Sequence, residues 1–399
     1  MSPATASSHG RFAGFDGIRA IAILLVVAWH TATQSGFPPA AMGFARAFIM
    51  SGWSGVDLFF ALSGFLITTL ILREEERHCE CEGTPRFSLV RFYARRALRI
   101  LPAFYCVFLL SVFVLPVFPF FRSTVSREAS DGGTGLGFLP YGSFWSNYFL
   151  AYAGRLTGHP VASAGTAFTI YWSLCVEEHF YLLWPLFLTV VKSRRARLVF
   201  SFGICLVVPL ARALVYGLGW ENPPSNVYYV SHYRMDEILW GAATAVLLRR
   251  WTPAPLIRRL FLGIVVAVLL VLAFARHLSI VPAPSVLGAS LGWTLLALGA
   301  SLLITEIVSA PTTLLARVLG LRLLGSVGKV SYGMYLLHIQ AIDLGIRLIA
   351  GLKLQPTVFN FLGLVLFFTL LAYALAWLMH QGIERPFLMI KERYLSDRA

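Results

Sequence analysis

Apolar residues fall along this chain in ten long blocks, at about 18–34, 54–72, 99–118, 172–191, 198–217, 236–248, 260–275, 286–306, 326–350 and 358–380, separated by polar segments. Most of these blocks approach the roughly 20 residues that a helix needs to cross the hydrocarbon core of a bilayer. Inside lipid every backbone N–H and C=O must find a partner, and an isolated apolar block achieves that only as a helix. The pattern therefore predicts an all-α fold, a polytopic membrane bundle of about ten transmembrane helices, in which the block at 236–248 is the shortest. No self-similarity of solenoid period and no inverted pair of halves is visible. A tail at 1–17, a transmembrane domain at 18–380 and a tail at 381–399 follow, with one long connection at 119–171.

Composition agrees with this pattern. Hydrophobic residues make up 57% of the 399, charged residues 13%, and mean hydropathy is +0.72. Soluble domains carry about 45–50% apolar and about 25% charged residues, so a soluble globular domain, a disordered chain, a collagen and a disulfide scaffold are all excluded. The net charge of +14 acquires a membrane explanation. If the N-terminus is cytoplasmic, 24 of the 33 Lys and Arg residues fall on the cytoplasmic face and 9 on the other. The positive-inside rule then places both termini in the cytoplasm and the chain in the plasma (inner) membrane, with the lipid bilayer and not nucleic acid as the partner of its basic residues.

Arg11 and Arg19 precede a short apolar core from Ala20 to Trp29, but no small-x-small cleavage site follows, so the first block reads as a retained signal anchor. The five cysteines form no disulfide pattern: Cys79 and Cys81 lie in the first cytoplasmic loop, and Cys106, Cys175 and Cys205 lie in spans. The stretch His78-Cys79-Glu80-Cys81 lacks a second ligand pair at zinc spacing, so no metal is expected.

Ionisable residues within the spans carry the chemistry, because each is costly in hydrocarbon unless it meets a partner or a cavity. Arg19 and His30 are eleven residues apart, which at about 100° per residue returns them to one helix face, about 16 Å apart along the axis. Asp16 is expected to cap that helix. Asp57, at the outer end of the antiparallel second span, lies at the depth of His30, where a carboxylate can orient an imidazole. Ser63-Gly64 permits close helix contact. The fourth span opens with an aromatic belt and carries Glu177-Glu178, of which about 100° of helical divergence turns only one toward a cavity. Ser331, Tyr332, Tyr335 and His338 lie on the ninth span, His338 near mid-membrane. Arg91, Arg95 and Arg99, at i, i+4 and i+8, form a stripe next to Arg96. The stripe reads either as a lipid anchor or as a set of forked donors for a multiply phosphorylated ligand. The connection at 119–171, with Asp131-Gly132-Gly133-Thr134-Gly135, Phe144-Trp145, Asn147 and Tyr148, reads as a cover or binding loop for a site outside, against the plainer reading of a disordered connector.

These motifs in their order resemble the membrane-bound acyltransferase 3 family. Phe15-Asp16-Gly17-Ile18-Arg19 followed by His30, Gly55-Val56-Asp57-Leu58-Phe59-Phe60 through Ser63-Gly64-Phe65-Leu66-Ile67, Arg91 to Pro102, Trp172-Ser173-Leu174 with Glu177-Glu178 and Phe180-Tyr181, and Ser331-Tyr332 to His338 carry the resemblance across almost the whole chain. It implies a ten-helix architecture and transfer of an acyl group from cytoplasmic acyl-CoA, with acetyl-CoA the expected donor and no bound cofactor. The acceptor is a hydroxyl of a glycan, a glycolipid or a secondary metabolite, often outside. It implies also that Arg19 and His30 are the functional pair and that the Arg91 to Arg99 cluster is a candidate for acyl-CoA recognition. Some members carry a soluble hydrolase-like domain after the last helix; this sequence stops about twenty residues past it, so transfer alone or with a separate partner is expected.

On this basis His30, oriented by Asp57 or Glu177, is the expected general base for the acceptor hydroxyl. A covalent acyl-histidine is the other open route, and Arg19, Arg95, Arg96, Arg99, Tyr332 and His338 are the expected substrate-binding residues. A proton-coupled transporter would also retain His, Glu and Asp in its spans, and a membrane scaffold would explain the arginines by topology alone.

Overall fold

The computed structural model describes residues 13–35, 42–82, 87–118, 138–157, 167–220, 225–274, 288–355 and 357–395. Arg11 and the glycine-rich stretch 131–135 lie outside them. Among the described residues there is no strand. The helices are α1 (Ala13–Gln34), α2 (Gly43–Met50), α3 (Gly55–Glu82), α4 (Leu89–Leu109), α5 (Leu139–Gly142), α6 (Ser146–Thr157), α7 (Tyr171–Val190), α8 (Arg194–Gly217) and α9 (Ser225–Tyr229). They continue as α10 (Met235–Leu248), α11 (Pro255–Phe274), α12 (Trp293–Ser309), α13 (Leu314–Leu319), α14 (Arg322–Lys329), α15 (Ser331–Leu348), α16 (Val358–Met379) and α17 (Arg385–Leu395).

Within the described residues, each of the ten apolar blocks falls mainly on one of these helices or across two of them. Among the described residues six helices are long and apolar enough to cross a membrane: Gly14–Gln34, Gly52–Glu80, Leu89–Val117, Arg194–Gly217, Ser290–Ser309 and Val358–Leu395. The helices that fall short include α7 and α15, which carry Glu177, Glu178 and His179, and His338, Gln340 and Asp343, and α10, which is only 14 residues long. Side-chain caps set several starts: Ser88 accepts from the Arg91 amide, Ser193 from Ala196, Thr313 from Ala316 and Thr357 from Asn360.

The centre of the bundle is α1, packed against α3, α14, α15 and α16, with α10 inserted between α3, α8 and α12. Two helix crossings depend on glycine. A Cβ on Gly64 would collide with the Ile238 carbonyl and one on Gly241 with the Ala61 carbonyl, so α3 and α10 meet backbone to backbone. Gly17 and Gly328 do the same where α1 meets the end of α13 and α14, against the Leu319 and Asp16 backbones.

One local expectation is corrected, and two segments outside the apolar blocks prove to contain helices. Asp16 does not cap α1: the helix starts at Ala13, and Asp16 lies in its first turn, where its carboxylate accepts from Arg19 at 2.8 Å. A carboxylate near a helix N-terminus and an i, i+3 ion pair are both favourable, so the helix gains by beginning earlier. The interval 119–171 is not a bare connection, since it contains α5 and α6. The tail at 381–399 continues through a π-turn, His380–Glu384, into α17, which packs on α4; α17 is short and charged, and therefore invisible to a hydropathy count.

Candidate active site

Two imidazoles meet at the middle of the bundle. Nδ1 of His30 lies 3.0 Å from the Val26 carbonyl oxygen and 3.2 Å from Nε2 of His338, while Nδ1 of His338 lies 2.7 Å from the Tyr335 carbonyl oxygen. A carbonyl can only accept, so in the neutral rings both Nδ1 atoms carry hydrogen. Nε2 of His338 then accepts from His30, and Nε2 of His30 is the nitrogen with a bare lone pair. His338 is fully buried, whereas His30 retains accessible surface. Trp29 stands edge-on to the His30 ring at 4.4 Å, and Ser173 and Tyr335 share a hydroxyl bond of 2.6 Å near the same helices.

Toward the other end of α1 the charged groups gather. Arg19 is held by Asp16, and the Arg96 guanidinium lies over the Tyr181 ring at 4.8 Å. The Tyr181 hydroxyl donates to Glu177 at 2.6 Å and Ser63 donates to the same carboxylate at 3.2 Å. Arg19, Arg96, Arg99, Glu177 and Glu178 all keep accessible surface within a bundle whose neighbouring faces are buried. The Tyr332 hydroxyl donates to the Ile100 carbonyl at 3.1 Å, tying α15 to the arginine-bearing helix α4.

Three residues named from the sequence are engaged elsewhere, among them Glu177, whose carboxylate accepts from Tyr181 and Ser63 and not from His30. Asp57 bonds Arg234 at 2.9 Å, and the group that faces His30 is His338, not a carboxylate. Depth along a helix follows from register, but α3 turns the end that carries Asp57 toward the start of α10, and rotation about the axis is not legible in a sequence. Arg95 donates to the Leu395 carbonyl of α17 at 2.8 Å and lies 3.9 Å from Glu74, so its fork is occupied by the protein itself.

The sequence reading missed a fully buried ion cluster. Arg212 grips Asp236 through two bonds of 3.0 and 2.9 Å, and Arg234 bridges Asp57 and Glu237, each at 2.9 Å. The rings of Trp293, Tyr228, Trp172 and Phe60 surround the Arg234 guanidinium at 4.5 to 5.8 Å. Arg234, Asp236 and Glu237 stand together at the head of an apolar block, and that juxtaposition was the available signal. Among the described residues no group of His, Cys, Asp and Glu could hold a metal ion.

The profile of a family described as an acyltransferase domain matches residues 12–380, a stretch that includes every residue of the two clusters around His30 and Arg19. The chain belongs to the acyltransferase 3 family. Six membrane-length apolar helices in such a chain make it an integral membrane protein. Among related proteins are a peptidoglycan O-acetyltransferase, OatA, of Listeria monocytogenes, 28% identical over 86% of this chain and 51% of that protein, and an O-acetyltransferase, OatA, of Staphylococcus aureus, 27% identical over 82% and 49%. A putative peptidoglycan O-acetyltransferase, YrhL, of Bacillus subtilis is 29% identical over 60% of this chain and 33% of that protein. The chain thus spans about half the length, or less, of the relatives it matches. No solved structure matches.

Proposed function

We propose that this protein is a membrane O-acetyltransferase of about ten transmembrane helices that moves an acetyl group from cytoplasmic acetyl-CoA to a hydroxyl of a cell-envelope glycan. The observation that carries the reading is the histidine pair: two backbone carbonyls leave Nε2 of His30 as the one bare imidazole nitrogen of the pair, on the same helix face as Arg19. The relatives are named as O-acetyltransferases, two of them of peptidoglycan, and family membership weighs against a proton-coupled transporter.

Chemically, the acceptor hydroxyl gives its proton to Nε2 of His30 as its oxygen attacks the thioester carbonyl. The C–S bond then breaks, and the departing thiolate takes the proton from the imidazolium. Base assistance of this kind contributes about 10²–10⁴-fold. The guanidiniums of Arg96 and Arg99, with Arg19 beyond them, are suited to the donor's phosphates, since they are planar forks that stay charged. Glu177, fixed by Tyr181 and Ser63, brings a carboxylate into the electrostatic reach of Arg96, whose guanidinium rests on the Tyr181 ring. Tyr332 keeps α15, and so His338, in register with α4. Asp57 contributes by holding Arg234 at the outer end of α3.

The test is acetyl transfer by purified protein in nanodiscs, with acetyl-CoA as donor and a peptidoglycan glycan fragment as acceptor. His30→Gln cannot take a proton and is expected to reduce turnover by at least about 10²-fold while remaining monodisperse. His338→Gln can still accept the bond from His30 through its amide oxygen and is expected to lose only about fivefold to tenfold, the effect of weakening one hydrogen bond. Full activity in His30→Gln would overturn the mechanism, and absence of any transfer from acetyl-CoA by the wild-type protein would overturn the donor.

A further inference from the structure

A second set of rings lies apart from the histidine pair, where the start of α6, the middle of α7 around His179 and the turn before α10 converge. Trp145 is 57% exposed, and its ring lies 5.5 Å from Tyr148 and 5.2 Å from His179. Tyr148 is close to parallel with both Tyr152, at 6.4 Å and 21°, and the exposed His232, at 5.8 Å and 26°. The Tyr148 hydroxyl also bonds Nδ1 of His232 at 3.1 Å, so the two rings are fixed relative to each other.

The platform stands on a buried polar strut. Asn147 donates from Nδ2 to the Ser231 hydroxyl at 2.8 Å, which leaves that hydroxyl to donate to Nδ1 of His179 at 2.6 Å. His179 also engages the backbone of Phe144, the single described non-glycine residue with a positive φ, 59°. Phe144 is held there from the other side by stacking on Phe104 at 4.5 Å. A residue in the left-handed region costs free energy and persists only where its surroundings enforce it, and here the outcome is that Trp145 is delivered next to Tyr148. The Asn147 carbonyl oxygen is buried and has no hydrogen-bond partner among the described residues.

Aromatic residues at a membrane–water boundary commonly form a belt of separate rings in the headgroup layer. This group differs, because its rings interlock with two imidazoles and a strained turn, and its polar atoms are tied into one network. The side chains named carry no fixed charge. Flat aromatic faces beside hydroxyl and imidazole groups suit a neutral ring that offers C–H bonds on its faces and hydroxyls on its edge.

We infer that Trp145, Tyr148 and His232 form a carbohydrate-binding platform that receives the glycan acceptor, with His179, Ser231 and Asn147 as the strut that positions it. This assignment rests on the acceptor reading of the preceding subsection, and its test keeps the two separable. Binding of chitotetraose to the full chain in nanodiscs is measured by saturation-transfer difference NMR, which needs no donor. Acetylation of the same oligosaccharide is followed in parallel by mass spectrometry.

The wild-type protein is expected to bind. Trp145→Ala and His232→Ala should each weaken binding about tenfold or more, Trp145→Phe should retain most of it, and Trp377→Ala, on α16, should match the wild type. Should Trp145→Ala not be recovered folded, Tyr148→Phe removes the hydroxyl with its bonds to His232 and Ser231 while keeping the ring, and is expected to lose about threefold or more. Unchanged affinity in these variants overturns the platform and makes the rings a lipid belt. Absence of binding by the wild type also overturns it. In that case continued acetylation of chitotetraose leaves the functional reading standing, and loss of both removes the reading as well.

Discussion

Arg95 and Arg99 lie one helical turn apart on α4 and have different partners. Arg95 is bonded to the Leu395 carbonyl and lies near Glu74, whereas Arg99 is exposed beside Arg96 and Arg19. A Lys replacement keeps charge and removes the planar fork. Arg99→Lys is therefore expected to raise the apparent KM for acetyl-CoA by about tenfold, the effect of one charge-assisted bond. Arg95→Lys should leave that KM unchanged and instead loosen α17, seen as faster amide exchange over 385–395. Equal KM effects in the two variants would return Arg95 to the donor site. The stripe itself was legible as i, i+4, i+8; the occupied fork of Arg95 was not, because its partner lies 300 residues away in sequence.

At the scale of elements, the α3–α10 crossing is a contact that admits no side chain on either glycine. Neither Gly64 nor Gly241 has room for a Cβ, because each faces a backbone carbonyl and not a side chain that could turn away. Gly241→Ala is expected to destabilise the protein by about 1–3 kcal/mol through overpacking. The change should be visible as a lower melting temperature in detergent, with a larger loss for Gly241→Leu. An unchanged melting temperature would mean that the two helices are not in backbone contact. The same crossing anchors the ion cluster at the head of α10, since Asp57 is on α3 and Asp236 and Glu237 are on α10. In the sequence Ser63-Gly64 marks a place where helices can approach closely, whereas Gly241, a lone glycine in an apolar block, has no distinguishing pattern.

For the whole molecule, charge asymmetry predicts how the bundle sits in its membrane. With 24 of 33 cations on one face, a reporter fused after Ala399 should report the cytoplasm and one inserted near Gly133 the opposite side. The reverse pair of signals would invert the bundle and separate the arginines from cytoplasmic acetyl-CoA. This orientation also sets the expected positions of the two ends of the chemistry, Arg19 and Arg99 toward the cytoplasm and the Trp145 platform away from it.

What the sequence determined by itself was helix content, the approximate place of each apolar helix and the family, because these depend on local hydropathy and on motifs read in order. It also placed Arg19 and His30 on one face, since both belong to one helix and 3.6-residue geometry relates them. Tertiary structure decided every relation between helices: His338 and not Asp57 beside His30, Arg234 as the partner of Asp57, and Ser63 and Tyr181 around Glu177. The physical reason is rotational. A span's depth follows from its length and charge pattern, but its azimuth is set by close packing against neighbours, here by glycines that admit a backbone on one side only, and no single segment carries that information.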